Sequence, residues 1–320
     1  MRALLMLNPK AGVGRGARVA EGLVTYLGRL GMEVELVTAL DREEGVKVAS
    51  QAREAWEREG WEVFLVAGGD GTINSAVQPL AGSDVTVGIL PVGVGNVAAR
   101  QLGLPLSLRQ ACQVAASGET RAVDLGVANG RPFLSMAGIG FDAAVVRSVR
   151  PEVKKRLGAL AYVLRALRAA TQYRYVPISV RIEGDALRGP ERVEENWFVV
   201  VANGPTYSFC WKAVPWAAMD DGQLDICMFG KTSAWATGAQ VIYALLGHHL
   251  ALPSVRYRKA QRICIEASGR ASQSASRRTC VQVDGEPAGF TPVEVSCLAG
   301  GLKVRLPGAG EPARRHPREL

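Results

Sequence analysis

The sequence predicts an α/β fold: an N-terminal three-layer domain on a parallel sheet, followed by a C-terminal, mainly antiparallel β-sandwich. Three observations predict it. Up to about residue 124, short apolar runs alternate with helix-period segments, and glycines cluster where three of the runs end. Beyond residue 124, short strand-like runs follow one another with turn residues between them. The chain has 320 residues, 48% of them hydrophobic, which is more than one ordinary core holds.

Each element has its own justification. ALLMLN (3–8) reads as a buried strand, and the segment 15–31 sets Val19, Leu23, Leu27 and Leu30 on one helical face. EVELVT (33–38) is a second strand. Asp41 with Glu44 three residues on forms a capping box for the helix that follows. WEVFLVA (61–67) and VTVGILPV (85–92) are the third and fourth strands, and helices are expected over 97–101 and 107–117. In the second part VPISVRIEG, NWFVVVAN, QLDICMFG, RICIEA, CVQVDG, VEVSCL and LKVRL read as separate strands, interrupted by helices near 152–172 and 232–248. The expected boundaries are 1–124 for the first domain, with 302–307 able to rejoin it, and 125–301 for the second. Residues 308–320 form a disordered tail.

Lys and Arg total 38 against 30 acids, a net charge of +8 that suits an anionic partner. With 6% aromatics and no recognition motif, nucleic acid is not expected. Six scattered cysteines without C-x-x-C, and three histidines, argue against a zinc site and for a reducing cytoplasm. The apolar part of MRALLMLNPKAG is too short for a signal peptide, and 234–253, which contains Gln240, His248 and His249, reads as a buried helix rather than a membrane span. The basic set Arg147, Arg150, Lys154, Lys155, Arg156, Arg165 and Arg168 is either a solvated face or a dock for anionic lipid.

Three strand-end loops carry the chemistry. VFLVAGGDGTINSAV (63–77) stops an apolar run at Gly68 and Gly69, then presents Asp70, Gly71 and Thr72 at the start of a helix. Helix N-termini and glycines suit phosphate, and a carboxylate beside a phosphate requires a cation between them, so a metal–nucleotide complex is expected. Without G-x-x-x-x-G-K-[ST] this is not a Walker loop, and a plain capped turn is the alternative. NPKAGVGRGA (8–17) holds G-x-G-x-x-A as Gly12, Gly14 and Ala17, and Asp41 lies where a ribose-binding acid would sit, so an NAD(P) domain competes. LPVGVGNVAAR (90–100) is the third loop, and three such loops look like one phosphate cradle.

Taken in order, NPKAG, GGDGTIN, LPVGVGNVAARQLGLP, VDLG with NGRPFLSMAGIGFDAAV, MDDGQLDI and VQVDGEP resemble the diacylglycerol kinase catalytic family over about residues 2–306. The branch it looks like is the soluble bacterial lipid kinases, similar to sphingosine kinases and more distantly to NAD kinases. The resemblance implies a two-domain fold with nucleotide and lipid bound in the cleft between the domains. It implies ATP contacts at Asn8, Pro9, Lys10, Ala11 and Gly12, at Thr38, and at Gly68, Gly69, Asp70, Gly71, Thr72, Ile73 and Asn74. In the third loop Gly93, Val94 and Asn96 match a Gly-Thr-x-Asn pattern, and Val94 departs from it by losing a hydroxyl. Glu286 matches the family's catalytic base, with Asp284 orienting it or the metal. Asp70 would hold the catalytic Mg²⁺, and Lys10 and Arg15 would clamp charge. A structural Mg²⁺ is implied at Asp221 with carbonyls near Ala218 and Gln223.

The expected function is an ATP-dependent kinase acting on a diacylglycerol-like or sphingoid-like lipid. It would work in the cytoplasm, peripheral to the inner face of an anionic membrane, with a homodimer allowed for. An NAD kinase, or a non-catalytic nucleotide or lipid sensor suggested by Val94, is the alternative.

Overall fold

A computed structural model describes residues 1–148, 176–183, 191–206, 214–231, 233–268 and 278–308. Of the basic set, Arg147 lies within the described residues; the other six, the helix expected over 152–172 and the tail from 309 lie outside them. The chain divides into two compact units, Met1–Leu125 with Ala299–Leu320, and Gly126–Leu298.

The first unit runs β1 (Arg2–Leu7), α1 (Ala11–Arg29), β2 (Glu33–Thr38), α2 (Arg42–Glu59), β3 (Val63–Gly68), α3 (Asp70–Leu80), β4 (Thr86–Pro91), α4 (Val97–Gln101) and α5 (Leu108–Ser117). Its strands lie in the order β4-β3-β1-β2 and are all parallel. Both faces are covered, which is why β1 and β3 read as unbroken apolar runs. Ala3, Leu5 and Leu7 pack with Leu23 and Leu27 of α1 and with Ala111, Cys112 and Ala115 of α5. Leu4 and Met6 alternate to the opposite face. There α2 and α3 pack so closely that a Cβ on Gly45 would lie 2.3 Å from Ser75 Oγ. The start of α2 is capped as its sequence suggests, with one shift. The Asp41 carboxylate accepts the Glu44 N–H at 3.0 Å, but Glu44 reaches back to the Leu40 N–H, at 2.7 Å, rather than to that of Asp41.

The second unit contains β6 (Arg131–Phe133), β7 (Met136–Gly140), α6 (Phe141–Ser148), β8 (Ile178–Glu183), β9 (Glu191–Ala202), β10 (Leu224–Gly230), α7 (Ala234–Leu245), a 3-10 turn at His249–Ala251, β11 (Val255–Ala260), β12 (Arg262–Ala267), β13 (Cys280–Val283) and β14 (Glu286–Phe290). β5 (Glu119–Ala128) enters it and β15 (Val293–Leu306) leaves it. The strands pair antiparallel in the order β14-β13-β7-β9-β8-β12-β15, with β10 joining β9 to β11. Inward side chains such as Ile139, Val180, Val199, Ile226, Ile263 and Val295 form one sandwich-type core. A second cluster, rich in aromatics around Trp197, Phe198 and Phe229, packs with Ala244 of α7.

Two expectations need correcting, and one strand was not expected. VEVSCL and LKVRL are not separate strands but parts of β15; Gly300, at φ +60°, is held by the Asp124 carboxylate, which accepts its N–H at 2.7 Å, and pairing continues beyond it. MAGIG is a strand that its glycines hide. A Cβ on Gly138 would lie 2.2 Å from Asp142 Oδ2, and Gly140 is required twice over, by its φ of +104° and because a Cβ there would lie 2.5 Å from the Trp197 carbonyl oxygen. α7 is not buried all round: Gln240 is enclosed, donating to Gly230 O and Ser254 Oγ, while Ile242 and Leu246 are 58% and 66% exposed. Among the described residues, no helix is long and apolar enough to cross a membrane.

Candidate functional site

In the parallel sheet β1 has β2 on one side and β3 on the other, so the strand order reverses there. Ligands bind at the strand C-termini of such a switch point, and the loops after β1, β3 and β4 meet there. Asn8 Nδ2 donates to Thr72 Oγ1 at 3.2 Å, joining the first loop to the second. The Val92 and Gly93 N–H groups donate to Gly68 O at 3.0 and 3.2 Å, joining the third to the second. A Cβ on Gly93 would lie 2.5 Å from Gly69 Cα, and one on Gly12 would lie 2.2 Å from Val92 O. These glycines are therefore needed for the loops to touch one another. Around Gly14 and Gly71, by contrast, a Cβ would meet nothing within 4 Å, which leaves room for a ligand.

The first loop is conformationally unusual. Gly12, Val13 and Gly14 all take left-handed backbone angles, and Val13 does so as a β-branched residue. Asn8 Oδ1 accepts the Lys10 N–H at 2.9 Å, and Pro9 O accepts the Ala17 N–H at 3.1 Å. The start of α1 at Ala11 is thus fixed by backbone, with Lys10 and Arg15 exposed beside it. No side chain caps α3, whose N-cap is Gly69, so its first turn keeps N–H groups for a ligand. Thr72, Ile73 and Asn74 are buried in α3, so Ile73 can offer a nucleotide only backbone. Thr38 is exposed at the end of β2 and lines, with Leu40, Glu44 and Lys47, a cavity of about 420 Å³.

Asp70 is half-buried, and its Oδ1 accepts the Ala98 N–H at 3.1 Å. It therefore caps α4 in the third loop rather than the helix it begins. Burial pushes its pKa up, against the lowering effect of the Ala98 and Val97 N–H groups. Asn96, in the left-handed region, donates from Nδ2 to Gly93 O at 2.9 Å, while its Oδ1 is buried without a hydrogen-bond partner. Val94 is 67% exposed at the loop tip.

In the second unit, Asp284 and Gly285, both at positive φ, make a two-residue hairpin turn between β13 and β14. The Asp284 carboxylate accepts three backbone N–H groups, those of Leu134, Ser135 and Met136, each at 2.9 Å. These bonds hold the entry to β7. Glu286 pairs with Arg131, whose Nη2 donates to Oε2 at 2.5 Å and whose Nη1 donates to Pro287 O at 3.1 Å. The two side chains are 27% and 22% exposed, so the carboxylate is held but reachable. Arg131 escaped the sequence reading. The available signal was its place directly after Asn129-Gly130, a second positive-φ hairpin turn.

Asp221 Oδ1 accepts the Gln223 N–H at 3.1 Å, and Oδ2 takes the Lys259 ammonium at 2.6 Å. Both oxygens are in use, Ala218 is half-buried nearby in sequence, and among the described residues no three His, Cys, Asp or Glu side chains gather to hold a metal. As arranged, these residues do not fit a structural Mg²⁺.

Residues 2–128 match the diacylglycerol kinase catalytic domain, and residues 135–306 match the YegS C-terminal NAD kinase beta sandwich-like domain. A diacylglycerol kinase of Bacillus subtilis (strain 168) is 30% identical over 80% of this chain and 81% of its own. One from Mycobacterium tuberculosis (strain ATCC 25618 / H37Rv) is 27% identical over 95% of each chain. A crystal structure of a candidate diacylglycerol kinase from Bacillus anthracis str. Sterne superposes with a TM-score of 0.76 at 25% identity, covering 95% of both chains. A yeast NADH kinase complexed with NADH reaches a TM-score of 0.50 at 11% identity, covering 96% of this chain and 84% of its own, a likeness of fold alone. Two family domains in tandem, and a relative that shares three residues in ten along four-fifths of both sequences, make this chain a member of the diacylglycerol kinase family.

Proposed function

We propose that the chain is a lipid kinase, transferring the γ-phosphoryl group of ATP to a hydroxyl of a diacylglycerol-like or sphingoid-like membrane lipid. One observation carries the nucleotide half: three glycine loops, tied to one another by Asn8–Thr72 and by the approach of Gly93 to Gly69, converge at the switch point of a parallel sheet. Family membership carries the lipid half. The residues fit a nucleotide. Gly14 and Gly71 face open space, and α3 begins uncapped. Asn8 to Gly12, Thr38, Gly68 to Asn74 and the third loop with Gly93, Val94 and Asn96 would bind it, and Lys10 and Arg15 would neutralise phosphate charge.

Asp70 would hold the Mg²⁺ that accompanies ATP, which supplies further charge neutralisation to the phosphates. Glu286 would accept the proton of the lipid hydroxyl as its oxygen bonds to phosphorus and the bond to ADP breaks. Arg131 would fix the carboxylate for that task, and Asp284 would fix the turn that carries it. The net charge of +8 suits work at an anionic inner membrane face. An NAD kinase has only the shared fold in its favour.

Phosphate transfer from labelled ATP to a total lipid extract, run beside transfer to NAD, tests the reading. A labelled lipid that Glu286→Gln suppresses by about 10²–10⁴-fold is expected. Labelled NADP with no labelled lipid would replace the proposal by the alternative.

A further inference from the structure

The loop that the family resemblance assigns to a structural metal ion already contains a cation. β10 and β11 pair with Asp225 opposite Lys259. From there the Lys259 ammonium reaches Asp221 Oδ2 at 2.6 Å and stands 3.7 Å from Asp225 Oδ1. Asp225 is fully buried; its Oδ1 also accepts the Tyr257 hydroxyl, and its Oδ2 has no hydrogen-bond partner. Asp221 Oδ1 is committed to the Gln223 N–H, which closes the 221–223 turn. Two carboxylates, one of them buried, thus share one ammonium.

We propose that Lys259 is the resident cation of this loop and that the loop binds no divalent metal. The argument is one of charge and geometry. Mg²⁺ demands a near-octahedral set of oxygens and gives up its waters reluctantly. Here it would have to displace an ammonium already in contact with Asp221 and break the Gln223 turn. The ammonium does what a structural ion would do: it ties the 219–223 segment to β10 and β11. An exposed lysine–aspartate pair contributes little, but removing this lysine would strand a charge at the fully buried Asp225, and that is costly. The proposal stands whether or not the chain proves to be a lipid kinase.

The test uses the full chain without nucleotide. Thermal midpoints are measured in EDTA and in millimolar Mg²⁺, with calorimetric Mg²⁺ titration of wild type and Asp221→Asn. Equal wild-type midpoints in the two buffers, and identical titrations of the two proteins, are expected. Uptake of one Mg²⁺ by wild type that Asp221→Asn abolishes would overturn the proposal. In EDTA, Lys259→Met should melt well below wild type, and adding Asp225→Asn should recover much of the loss. A Lys259→Met protein that melts with wild type, or a double variant with no recovery, would equally overturn it. Should Lys259→Met not fold, the comparison of wild type with Asp221→Asn decides alone.

Discussion

Asp70, the carboxylate proposed to hold a metal ion, already serves a loop. Its Oδ1 caps α4 through the Ala98 N–H, and burial raises its pKa from the ordinary 3.8. An acid with a raised folded-state pKa contributes stability that is fully present below the unfolded value and is lost as pH rises through the folded value. Asp70→Asn keeps an acceptor for the Ala98 N–H and removes the buried charge. Urea unfolding should therefore show the variant gaining on wild type between pH 4 and neutrality, while its phosphoryl transfer falls to background. Val94 poses the opposite case, an apolar side chain 67% exposed where the family pattern has a threonine. A regained hydrogen bond to a charged phosphate is worth about 1.5–3 kcal/mol. Val94→Thr should thus tighten ATP about ten- to a hundredfold by calorimetry. The glycine loops were legible because glycine at a strand end has few other reasons to recur three times. The partner of Asp70 was not legible: Ala98 carries no signal, since only its backbone is used.

At the scale of elements, two hairpins with positive-φ turns, Asn129-Gly130 and Asp284-Gly285, present Arg131 and Glu286 to each other. The Asp-Gly turn was legible as a hairpin, and it joins β13 to β14 as one. β6 and β7 were not legible, because Pro132, Gly138 and Gly140 read as breakers, and it takes the neighbouring Trp197 backbone and Asp142 to explain two of them. If Arg131 positions Glu286, Arg131→Ala should lower kcat about ten- to a hundredfold with ATP KM little changed, and Arg131→Lys should recover part of the loss. A purely structural arginine would instead shift the melting point without that split. Asp284→Ala should behave differently, leaving three buried backbone donors unmet. A stability loss of about 3 kcal/mol or more, measured by denaturant unfolding, is the expected signature.

At the scale of the molecule, the alternation of helix and strand periods and their later replacement by strands made the fold class legible. The continuity of β15 was hidden by Ala299, Gly300 and Gly301, which resemble a turn. The end of that strand belongs to the N-terminal unit: Lys303 and Val304 pair with β4, the Lys303 ammonium meets Asp84 at 2.7 Å, and Arg305 donates to Gly118 O at 2.7 Å. A chain cut before Ala299 should lose cooperative melting of the parallel-sheet unit, seen by circular dichroism as a lower and broader transition than that of the full chain. The same strand dictates an order of events during synthesis. Residues 1–125 leave the ribosome first, yet the strand that closes β4 follows about 175 residues later, a wait of about 9–35 s at common elongation rates. Through that interval β4 is an open edge able to recruit a stranger's strand. The unit made first is thus completed last, and a nascent chain held by a chaperone until residue 306 emerges would be spared the wrong pairing.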